Sequence, residues 1–176
     1  MTSFARKTAL TALIAAAVMG ACVVRSAADA SLEYRVKAAF LYNFAKFVTW
    51  PAQVFPATEA AVVFCLAGED PFQELLDSTT KDRKVEGRPI VVRRLTADAP
   101  LAGCHLVFSS ETDGARVAHV LQRAAGAGAL TVGEADEFLP RGGMIRLLVE
   151  EGKVRFDIST RAAEQAGLKV SSQLLK

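Results

Sequence analysis

A chain of 176 residues that is 51% apolar is not disordered, and it is too short for two comfortable domains. The formal charge of +2 comes from the first 30 residues: taking Arg6, Lys7 and Arg25 from the 21 basic residues and Asp29 from the 19 acidic ones leaves 18 of each. Such a balance offers no clustered basic face for nucleic acid.

Arg6 and Lys7 form a basic opening, residues 8–24 an apolar run, and Ala28-Asp29-Ala30 fits the small-x-small rule for signal cleavage. Residues 1–30 are therefore expected to be a secretory signal peptide, and residues 31–176 a domain exported to the periplasm. A membrane anchor is one alternative, although the run is at the short limit for a span. Lipidation of Cys22 is another, although Met19-Gly20-Ala21-Cys22 is a loose lipobox with an atypical Met. Cys65 and Cys104 remain as an even pair. In an oxidising compartment that suggests a disulfide, with two buried free thiols as the alternative.

Residues 31–50 read as a helix with Ser31 as its N-cap and Pro51 as its stop. Val36, Phe40, Phe44 and Phe47 share one face, and Tyr34, Ala38, Leu41, Ala45 and Val48 widen it until Arg35 and Lys46 mark the solvent side. Two polar residues fall inside the apolar arc. Lys37 is either paired with Glu33 one turn away, its stem snorkelling, or an anion ligand in a pocket beneath the helix. Asn43 is expected to be buried and tied to backbone, or to share that pocket.

Residues 60–67 form an unbroken apolar run, a fully buried strand. Asp70-Pro71 then reads as N-cap and N1 of a helix ending near Ser78, and 81–87 as a polar loop. Strands follow at 88–95 and 105–109, a helix at 112–125, and strands at 129–132, 144–149 and 153–158. Glu151-Gly152 is a hairpin turn signal between the last two. Ser159 N-caps a helix closed by Gly167, and the chain runs on through an extended or irregular 168–170. The pattern implies a single α/β domain with a mixed, mostly parallel sheet of about six strands and helices on both faces.

Catalytic patterns are missing: there is no phosphate loop, no G-x-S-x-G and no C-x-x-C. His105 and His119 do not make a metal site with one neighbouring cysteine. Neither an enzyme nor a cofactor or metal protein is therefore expected, which leaves binding. Leu168, Val170, Leu174 and Leu175 lie beyond the last capped helix, where chain ends are normally polar. Either they contact a partner or they dock back onto the domain.

The run YRVKAAFLYNFAKFVTWP at 34–51 resembles the opening motif of the YfiR family of periplasmic proteins. VFCLAGEDPF at 63–72, GGMI at 142–145, VRFDI at 154–158 and AGLKVSSQLL at 166–175 agree with the family in the same order. The resemblance implies an α/β fold, a homodimer and a non-enzymatic regulator. Relatives bind the periplasmic sensory domain of a membrane-bound diguanylate cyclase and hold it inactive; release raises cyclic di-GMP and promotes biofilm formation. It further implies that Cys65 and Cys104 occupy a disulfide position. A second cystine of some relatives is absent here, so a two-bond redox switch does not carry over. The competing expectation is a periplasmic small-molecule binding module with Lys37 and Asn43 in its pocket.

Overall fold

The computed structural model describes residues 27–57 and 59–175. Most of the expected signal peptide, with Cys22, lies outside the described residues. The chain divides into a unit ending at Ala30 and a unit running from Ser31 to Lys176, and the second contains the sheet.

The elements are α1 (Ala27–Phe47), β1 (Val48–Thr49), a 3-10 turn (Ala52–Val54), β2 (Val62–Ala67), α2 (Glu74–Thr80), β3 (Lys84–Val85), β4 (Arg88–Leu95), β5 (Leu106–Ser109), α3 (Gly114–Ala124), β6 (Leu130–Gly133), β7 (Ile145–Glu150), β8 (Lys153–Ile158), α4 (Thr160–Gln165) and β9 (Lys169–Val170). Seven strands form one sheet in the order β3-β4-β2-β5-β6-β7-β8. The five central strands are parallel, and β3 and β8 close the two edges antiparallel. The α/β class, the mostly parallel sheet and the helices on both faces agree with expectation.

The three innermost strands, β2, β5 and β6, are buried on both faces, so they need no polar alternation, whereas β4 alternates. All six residues of β2 are buried. Phe64 and Leu66, with Leu106, Phe108, Leu130 and Val132, face the cluster under α1. Val63, Cys65 and Ala67, with Val107, face Val120 and Ala124 of α3. Phe64 and Phe108 have no exposed surface, and burial of each contributes about 1.5–3 kcal/mol. Local chemistry sets several boundaries. Asp113 Oδ1 accepts the Ala115 and Arg116 N–H groups and caps α3. Gly167, at φ 79°, ends α4: its N–H donates to Glu164 and that of Leu168 to Ala163.

Four expectations need correction. The first helix stops at Phe47, because Val48 and Thr49 pair antiparallel with Val170 and Lys169. Ser31 is interior to α1, not its cap. Asp70 Oδ1 does accept the Phe72 and Gln73 N–H groups, but α2 begins only at Glu74, after Gln73 at φ 51°. The polar loop after α2 contains β3, whose two residues extend the sheet beyond the six strands expected.

Phe138 is held between Gly133 and Gly143. A Cβ added at Gly143 would lie 2.2 Å from the Phe138 ring and 2.7 Å from its carbonyl oxygen. Since backbone cannot give way as a side chain does, Gly143→Ala should lower unfolding free energy by about 1–3 kcal/mol. Denaturant titration at unchanged m checks this, and a wild-type midpoint would refute it.

Candidate functional site

Lys37 projects from the inner side of α1 and is 3% exposed. Its ammonium lies 2.5 Å from Glu33, one turn earlier, and 2.5 Å from Glu134, just after β6. Tyr34 completes the cluster: its hydroxyl donates to Glu134 across 3.2 Å, its ring lies 4.5 Å beneath the Lys37 ammonium, and its edge meets Phe72 at 5.4 Å. The group fastens α1 to the C-terminal ends of the parallel strands. The expected Glu33 pair is present. Glu134 carries no local sequence signal as a partner, because it is 97 residues away.

Asn43 is exposed, contrary to the expectation of a buried amide. The reason is the phase of α1. Its buried arc runs through Lys37, Ala38, Leu41, Phe44 and Ala45, which turns Leu32, Val36 and Asn43 outward, with Leu32 60% and Val36 38% exposed. Lys37 and Asn43 therefore lie on different faces. An open groove of 780 Å³ runs between α2 and β4, lined in part by Glu74, Asp77, Ile90 and Val92. Neither Lys37 nor Asn43 lines it.

Cys65 of β2 and Cys104, just before β5, form a disulfide with Cα atoms 5.8 Å apart. Both are buried on the α3 side of the sheet. Among the described residues there is no cluster of His, Cys, Asp and Glu suited to a metal ion.

The closing segment divides in two. Leu168 and Leu174 join the core under α1, and Val170 packs against that core half-buried. The Ser171 N–H donates to the Phe47 carbonyl at 2.8 Å and brings the chain end back to the C-terminus of α1. Leu175 remains 49% exposed.

Residues 34–176 match the family model described as YfiR/HmsC-like. The chain belongs to the YfiR/HmsC-like family. No individual curated protein matches it. The YfiR/HmsC-like match begins at Tyr34 in the Lys37 cluster and takes in the disulfide, the sheet and the closing segment. Family membership supports a periplasmic regulator of diguanylate cyclase signalling, and a regulator rather than an enzyme.

Proposed function

We propose that this YfiR/HmsC-like domain, freed of its leader by cleavage after Ala30, works in the periplasm as a homodimer. It binds the sensory domain of a membrane-bound diguanylate cyclase and holds the cyclase inactive. The family match over residues 34–176 carries the reading. The alternative of a small-molecule module gains nothing from Lys37, whose charge is met by Glu33 and Glu134. Co-purification from the envelope should recover a membrane protein with a cyclase domain, and mass spectrometry should find Ser31 as the first residue. Deletion of the gene with no rise in cyclic di-GMP would refute the repressor role.

The closing segment gives a sharper test. Leu175 is the residue of the segment left for a partner, so Leu175→Ser should shift stability by no more than about 0.5 kcal/mol, as exposed substitutions do. It should nevertheless release the cyclase and raise cyclic di-GMP. Leu174→Ser should instead cost about 2 kcal/mol or more, as truncation of a core leucine does. Intact repression by a stable Leu175→Ser protein would exclude the segment from the interface.

A further inference from the structure

The single tryptophan and one of the two histidines meet at the other end of the sheet from Lys37. His105 precedes β5 and is 3% exposed. Its N–H donates to the Val63 carbonyl at 2.9 Å, and its carbonyl accepts the Leu130 N–H at 2.8 Å and the Trp50 indole N–H at 2.9 Å. The ring is held as firmly. Nδ1 accepts the Val63 N–H at 3.1 Å, so the neutral imidazole carries its proton on Nε2. Nε2 is buried, and the Val54 carbonyl that acts on the ring falls short of a full hydrogen bond to it. Phe55, from the connection between β1 and β2, stacks on the imidazole at 4.4 Å and 13°. The Arg88 guanidinium lies 3.9 Å over the Phe55 ring and donates to the Ala57 and Ala60 carbonyls. The connection is thus clasped over His105 by one aromatic stack and one arginine.

We propose that His105 is a proton-operated latch for the segment 51–57. A proton on Nδ1 turns the acceptor into a donor that faces the Val63 N–H. The ring must then leave its place, and the Phe55 stack opens with it. Burial lowers the proton affinity of His105, the Val54 carbonyl partly offsets this, and Arg88 and Arg93 of β4 lower it further. Around the ring β2 presents Val63, Trp50 stands edge-on at 6.5 Å, β4 presents Arg88 and Arg93, and the covering segment presents Val54 and Phe55; Glu59, just beyond that segment, is exposed. The unfolded imidazole takes its proton near 6.5, and the folded one does so only at lower pH. The closed form is therefore complete above about pH 6.5 and is lost as pH falls toward the folded value. The latch is independent of the identity of any partner.

Trp50 is a built-in reporter, because it is the only tryptophan and bonds the His105 carbonyl. Its emission and the far-UV circular dichroism should be followed between about pH 8 and pH 5. Expected is a one-proton change in emission, centred below 6.5, at constant circular dichroism. His119→Gln should keep it. His105→Asn, whose amide oxygen can still accept the Val63 N–H, should abolish it. A flat wild-type trace, a transition that survives His105→Asn, or an emission change that coincides with loss of circular dichroism would each overturn the latch. Should His105→Asn not fold, hydrogen exchange decides on the wild-type protein: amides in 52–57 must exchange faster as the His105 imidazole titrates by NMR, and unchanged exchange refutes the proposal.

Discussion

Reducing the Cys65–Cys104 bond is expected to destabilise the domain by about 4 kcal/mol. The cysteines are 39 residues apart in sequence, and closing a loop of that length removes about 4 kcal/mol of conformational freedom from the unfolded chain. The closed loop holds α2, β3 and β4, one whole edge of the sheet. It also spans the point where the chain crosses from β4 to β5, on opposite sides of β2. The bond joins β2 to the start of β5 at that crossing. Without it the edge is held by the β2–β4 ladder, the side-chain packing under it, and Arg94, which bonds Asp70, Asp77 and the Gln73 carbonyl. Because both sulfurs are buried, reductant acts on the native protein only through opening, so the comparison is made at equilibrium in denaturant. Cys104→Ala should reproduce the loss within the range of about 2–5 kcal/mol. A shift below about 1 kcal/mol in both experiments would show that the fold does not depend on the bond.

What the sequence reveals about this fold follows the range of the interactions involved. Glu151-Gly152 was legible as a hairpin turn, and the two residues indeed lie at φ 50° and 73° between paired strands. Ser159 was legible as a cap for the same reason: its hydroxyl accepts the Ala162 N–H three residues on. The burial of β2 followed from an apolar run with no polar break. Asp70 shows the limit of such local rules, since the capping chemistry is real but serves the turn ahead of α2.

Sequence leaves the outcome open where it offers several equivalent answers. In α1 the apolar residues surround most of the helix, so periodicity does not fix which of them turn inward. Periodicity alone places Val36 and Asn43 on the buried face, whereas the core selects the arc through Lys37, Leu41 and Phe44. β1 and β9 are two residues each and pair across more than a hundred positions, so neither carries a pattern of its own. That pairing also decides the fate of the chain end. Leu168 and Leu174 are apolar beyond a capped helix, a pattern equally suited to a partner and to the core. The Ser171–Phe47 hydrogen bond draws them to the core and leaves Leu175 outside.

Lys37→Met is expected to cost about 3 kcal/mol. Methionine keeps the length and volume of the lysine stem, so packing under α1 changes little and the loss isolates the charge. Removing one partner of a buried ion pair leaves its counter-charge uncompensated, at about 3–5 kcal/mol. Here two carboxylates converge on one ammonium, and both lose it together. The lower end of the range applies, because the Glu33 and Glu134 side chains keep 13% and 15% exposure and can turn partly toward water. Part of Glu134 also remains satisfied by the Tyr34 hydroxyl. A structural role for charge predicts rescue by neutralisation: adding Glu134→Gln to Lys37→Met should restore more than half of the loss, whereas Glu134→Gln alone should destabilise. If Lys37 serves instead as the anchor for an anionic ligand, Lys37→Met would leave the unliganded domain near wild-type stability. Denaturant midpoints for the wild type, both single variants and the double variant separate the two, because only the ion-pair reading yields a large coupling energy in that cycle.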